Sequence, residues 1–187
     1  MKLYKIYSRA IGLLFALSLL CVGCENEDIL NINDLEISPS NPESVIIVEP
    51  DDGITSVNAL TKAINENGDA TYILRRDGVY YMEGKNVFKH NVVIKAENGS
   101  GKMPIIQPIC DAQGALNADM IRLEGSATFE NIYIVGKDAA TGNLMQRLFR
   151  IDESNVRLKF DNCFIDHCRN FCIRTCLLYT SDAADDL

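Results

Sequence analysis

Two short motifs each occur twice, in the same order, in the second half of this 187-residue chain. Met120-Ile121-Arg122-Leu123-Glu124 returns 28 positions on as Leu148-Phe149-Arg150-Ile151-Asp152. Phe129-Glu130-Asn131-Ile132-Tyr133-Ile134 returns 31 positions on as Phe160-Asp161-Asn162-Cys163-Phe164-Ile165. The two offsets differ by three residues, which a loop absorbs. Ala96-Glu97-Asn98, 33 positions before Phe129-Glu130-Asn131, reads as an earlier and weaker copy. Self-similarity at this period marks a stack of repeated units rather than a globule with one irregular core. Within each motif apolar and polar residues alternate, which is strand periodicity. Short strands separated by Gly, Asn, Asp and Ser turns predict a β-solenoid. Asn98, Asn131 and Asn162 fall at matching places in the copies, and an amide ladder is expected between Asn131 and Asn162.

The ends of the chain read differently. Lys2, Lys5 and Arg9 precede a 12-residue apolar run from Ile11 to Val22, broken only by Gly12 and Ser18. That run is short for a membrane span and right for a secretory leader. It ends in Cys21-Val22-Gly23-Cys24, which resembles a bacterial lipobox, with Cys21 where Leu is usual. The resemblance implies a signal peptide over 1–23, lipidation at Cys24, and a membrane partner held through acyl chains. Glu25-Asn26-Glu27-Asp28 resembles the surface-export signal of outer-membrane lipoproteins in Gram-negative gut bacteria, which places the protein on the cell surface; a merely solvated tether is the alternative. Residues 24–44, rich in Asn, Ser and Pro, are expected to form a flexible tether. Residues 176–187 break the repeat and resemble a translated sequencing adapter, so the solenoid domain is expected over 45–175 and truncated at its C-terminal end.

Net charge is −8, without a basic stripe, which excludes nucleic acid as a natural partner. It also disfavours long-range attraction to an acidic polysaccharide unless cations bridge the two. Cys110, Cys163, Cys168 and Cys172 fall in or beside the domain's strands. They read as small core hydrophobes or as one disulfide. The spacing of Cys163, Cys168 and Cys172 around His167 matches no usual zinc pattern, so no metal site is predicted.

One helix is expected, Val57–Asn67, capped by Thr55 or Ser56 and ended by Gly68. Val57, Leu60, Ala63 and Ile64 share its apolar face. A strand at Tyr72-Ile73-Leu74 and a turn into Gly78-Val79-Tyr80 follow. Ser56, Leu60, Ala63, Ile64, Gly68, Asp69, Tyr72, Ile73, Leu74, Gly78 and Tyr80 together resemble the N-terminal cap of pectin-lyase-like right-handed parallel β-helix proteins. The likeness runs from Val45 to Thr175 and is nearest to β-helix lipoproteins of unassigned function found among glycan-utilisation proteins.

That resemblance implies a polysaccharide partner. It also implies a groove on one sheet where a uronate lyase would pair Ca2+ with a Lys or Arg base, or a hydrolase would use clustered Asp. No cofactor is evident in the residues themselves, and Ca2+ enters only with lyase chemistry. Asp166, His167 and Arg169 at a strand end are the catalytic candidates, and ordinary turn residues look the same. Arg122, Arg150 and Arg174 recur in the repeat and are candidates for binding uronate carboxylates; pairing with Glu124 and Asp152 is the alternative. With no Trp in the chain, sugar stacking would rest on Tyr and Phe. Two classes stay open: a polysaccharide lyase or hydrolase, and a non-catalytic surface glycan-binding or scaffold protein.

Overall fold

A computed structural model describes residues 44–175. The leader, Cys24, nearly all of the tether and the tail over 176–187 lie outside the described residues.

The elements run β1 (Val45–Val48), α1 (Ala59–Asn67), β2 (Ala70–Leu74), β3 (Val79–Glu83), β4 (Val87–Phe88), β5 (Val92–Ala96), β6 (Ile105–Ile109), β7 (Asp119–Leu123), β8 (Ala127–Glu130), β9 (Tyr133–Val135), β10 (Arg147–Ile151), β11 (Leu158–Asp161), β12 (Phe164–Asp166) and β13 (Phe171–Thr175). They form three parallel sheets. The first is five-stranded, β1-β2-β5-β8-β11; the second and third are four-stranded, β3-β6-β9-β12 and β4-β7-β10-β13. The chain visits the sheets in that order and then climbs one coil, so the described residues form a parallel β-solenoid with one short helix.

Alternation sends every second side chain inward, where register stacks it on its counterpart one coil away. Ile46, Tyr72, Ile94, Phe129 and Phe160 form one such column. Phe129 and Phe160 stack at 5.6 Å, and Phe149 meets both edge-on, at 5.4 and 5.3 Å. The offsets of 28 and 31 are the true registers, Arg122 with Arg150 and Phe129 with Phe160.

The third copy is displaced. Ile94, not Ala96, pairs with Phe129, an offset of 35 rather than 33. At Asn131 and Asn162 the corner between the first and second sheets is two residues long, and both asparagines take the left-handed conformation, φ 59° and 47°. The Asn162 amide donates to Asn131 Oδ1 at 2.6 Å, as expected. The corner after β5 instead runs over 97–104 through Gly99 and Gly101, so Asn98 has no place in the ladder.

The helix begins two residues later than expected and is not capped by Thr55 or Ser56. Asp52 gathers the amides of Ile54, Thr55 and Ser56 into a turn of its own, at 2.8, 2.7 and 2.8 Å. Asp51, buried, then accepts from the Ala59 amide of the first turn at 3.2 Å and from Tyr81 N at 3.0 Å. Burial raises its pKa above 3.8, against the pull of these hydrogen bonds and of Lys62. Leu60 and Ile64 are fully buried beneath the cap. The edge of β3 is closed by side chains as well: Asn58 accepts from Glu83 N at 2.8 Å and donates to Glu83 O at 3.1 Å. Edge donors that no strand pairs thus find partners.

The Asn131 corner is directly testable. Asn131→Ala forces a Cβ-bearing residue without a local hydrogen bond into αL and removes the ladder, a loss of about 2 kcal/mol in urea unfolding. Asn131→Gly removes only the ladder and should cost less. Equal losses would mean the backbone conformation contributes nothing.

Candidate functional site

The corners between the second and third sheets are uneven. They span 84–86, 110–118, 136–146 and 167–170 in successive coils. The two long ones stand beside each other and leave a polar cleft of about 420 Å³. Its lining includes Leu116, Asn117, Asn143, Leu144, Gln146 and Arg169.

Each wall is built by one aspartate. Asp111 Oδ1 accepts from the amides of Gln113 and Ala115 at 3.0 and 2.8 Å, which curls the first loop. Asp138, buried, accepts from the Thr141 amide at 2.8 Å and from its hydroxyl, while Asp138 N donates to Asn143 O at 2.9 Å. A bridge between Lys137 and Leu144 makes the second loop a small hairpin. Cys110 ties the walls together, its thiol 3.6 Å from Asp138 Oδ2. At the base, Arg169 N donates to Met145 O at 2.8 Å. Gly136 is obligatory there, because a Cβ would strike the His167 carbonyl and Leu148.

Arg122, Arg150 and Arg174 stand in one register column of the third sheet, with Val87 below them. Arg122 and Arg150 share a partner, Asp119, at the start of β7. The Asp119 side chain, 0% exposed, receives Arg122 at 3.0 Å, Arg150 at 3.8 Å and Arg147 Nε. Asp152 receives Arg150 and, at 3.7 Å, Arg122. Extending the repeat one residue towards the N-terminus would have found it, since Asp119 and Arg147 are register partners of opposite charge. The cluster holds more guanidinium than carboxylate.

Asp166 and His167 are together. His167 Nδ1 lies 2.8 Å from Asp166 Oδ2, His167 N donates to Oδ1 at 2.7 Å, and Tyr133 OH donates to Oδ2 at 3.4 Å. Arg169 is not with them: it lines the polar cleft, whereas Asp166 lines a separate cleft on the second sheet.

The cysteines divide. Cys163 is half-buried, burial pushes its thiol pKa up, and its Sγ donates to Phe129 O at 3.3 Å. Cys168 and Cys172 are free thiols 3.1 Å apart. Desolvation, then the neighbouring Cys172, push the Cys168 thiol up to about 11. Among the described residues no three His, Cys, Asp or Glu side chains converge as a metal site would require. No family model matches the chain, and no curated protein does.

Asp119→Ala should cost about 3–5 kcal/mol in denaturant unfolding, because it leaves half-buried guanidinium groups without their carboxylate. A loss below 1 kcal/mol, the scale of surface ion pairs, would show the cluster to be solvent-screened.

Asp138 gives a pH test. Burial alone would raise its pKa, but the Thr141 hydroxyl and amide and the Cys110 thiol outweigh burial and hold it below 3.8. A carboxylate depressed on folding contributes stability above its unfolded pKa and loses it as pH falls through the folded one. The Thr141 amide resonance should therefore titrate with a midpoint below 3.8, and Asp138→Asn should abolish that step. A midpoint above 3.8 would reverse the assignment.

Proposed function

We propose that this portion of the chain binds polysaccharide, without cleaving it, in the polar cleft beside the third sheet. The observation that carries this reading is the composition of the lining. Asn117, Asn143 and Gln146 offer amide donors and acceptors suited to sugar hydroxyls, and Arg169 is the one charged side chain among them. A guanidinium can take a uronate carboxylate through two parallel hydrogen bonds. Acid–base hydrolysis needs two carboxylates across the scissile bond, and uronate elimination needs oxygen ligands for a cation beside the base. The lining supplies a carboxylate for neither.

The overall charge of −8 does not decide the matter. Exposed charges more than about 8 Å apart are largely screened at physiological ionic strength, so the local sign matters most. Around the cleft Arg122, Arg147, Arg150 and Arg169 stand with Asp119, Asp152 and the wall carboxylates Asp111 and Asp138, and the charge that lines the cleft itself is Arg169. A uronate-containing glycan is the ligand this favours. In the fuller proposal the pectin-lyase-like β-helix is carried on the outer membrane at the cell surface by lipid on Cys24, where such glycans are met. Polymer would then lie across coils beside the third sheet.

The test is calorimetric titration of the full chain with an oligogalacturonate hexamer. Binding is expected, with Arg169→Gln about tenfold weaker, the size of one charge-assisted contact. Ultraviolet absorbance of unsaturated uronate should not rise, with Ca2+ or without it. Absence of binding sinks the proposal. Product formation that Arg169→Gln abolishes would make the cleft a lyase centre instead.

A further inference from the structure

The second sheet presents a different surface. Tyr80, Ile106 and Ile134 face the core, fully buried, so their alternates face outward. Those alternates, Val79, Ile105, Tyr133 and Phe164, stand in one register column across four coils. Phe164 is 63% exposed. Tyr133 and Phe164 meet edge to face, ring centroids 6.4 Å apart and planes at 83°, so the two rings form a corner. A cleft of about 490 Å³ opens there, lined by Met103, Ile105 and the two rings, with Lys102 and Asp166 also at its walls.

We propose that this corner is a second subsite, which takes one pyranose ring of a neutral glycan. The inference rests on the polysaccharide reading above and adds a ligand of different charge. A pyranose has an apolar C–H face and a rim of hydroxyls. One aromatic face serves as floor to the C–H side, and the perpendicular ring serves as wall. The hydroxyl rim meets Asp166, an acceptor with about four lone-pair sites. His167 N, His167 Nδ1 and Tyr133 OH engage the carboxylate without exhausting it. Lys102 supplies donors. One cation and one anion leave the cleft without net sign, so it gives no preference to a uronate, in contrast to the Arg-rich third sheet. The oxygens of Asp166 are placed to hold a hydroxyl here, whatever their part in chemistry.

The experiment uses the full chain, titrated separately with xylohexaose, mannohexaose and an oligogalacturonate hexamer. At least one neutral hexasaccharide should bind. Tyr133→Ala and Phe164→Ala should each weaken it about tenfold, the scale of one lost aromatic contact. Phe164→Tyr, which keeps the ring face, should restore affinity. Phe164 is exposed, so its removal should leave the circular dichroism and unfolding curve unchanged. The proposal is overturned if no neutral hexasaccharide binds, or if the ring deletions leave its affinity untouched. It is also overturned if those deletions instead dissolve a dimer seen by light scattering, which would make the face a contact between copies. Oligogalacturonate binding that needs Arg169, without neutral binding, overturns this subsite and leaves the cleft standing. Ring-dependent neutral binding, with oligogalacturonate ignored, does the reverse.

Discussion

Among the described residues each strand finds its hydrogen-bond partner in the coil before or after it, never in its own coil. That constraint governs the rest. A parallel ladder fixes which residue lies over which, and a slip of one position would send core residues to solvent. The column from Ile46 to Phe160 is the packing side of the same requirement, since a side chain that fits beneath its counterpart makes the register the only good one. The stack must also end somewhere. At its first coil the exposed edge is closed not by another strand but by α1, by the Asp51 carboxylate and by the Asn58 amide. Here side-chain polar groups take the place of a missing ladder.

Register also has a cost on the outside. Identical positions of adjacent coils lie about 4.8 Å apart, so a repeated charge meets itself, and like charges directly opposite are destabilising. Arg122 over Arg150 is such a case. Asp119 answers it from the start of β7, and Asp152 from just beyond β10. The repeated Arg is therefore first a structural problem with a local solution. Phe164 over Tyr133 poses no such problem, which is why an apolar column on the second sheet can stay open to solvent.

What the sequence revealed follows from the same physics. The copies at 120–134 and 148–165 could be aligned because two-residue corners at Asn131 and Asn162 leave strand spacing undisturbed. The copy at 96–98 was aligned on chemical similarity and missed by two residues, because a corner of different length follows β5. The helix start was misplaced for a related reason. Asp52 engages the Thr55 hydroxyl through its carboxylate and the Ser56 hydroxyl through its amide, which turns both away from the helix, and Asp51, eight residues before Ala59, does the capping. Asp166 and His167 were found together because they are neighbours in sequence. Arg169, two residues on, leaves them as the chain turns towards β13. Asn117, Asn143 and Gln146 could not be found, since loop residues carry no period.

The cleft exists because the coils are unequal. Were the corners between the second and third sheets as short in every coil as 84–86, they would stack flush and leave no recess. The long corners at 110–118 and 136–146 must hold a shape without neighbours on every side, and each does so through one aspartate that collects backbone amides. The division of labour is thus physical. Strands, bound to a common register, supply columns of like residues and a rigid wall. Loops, free of register but in need of internal hydrogen bonds, supply the only surface whose shape can differ from coil to coil. A surface of the first kind repeats with the coil, and a surface of the second kind is particular to one place in the stack.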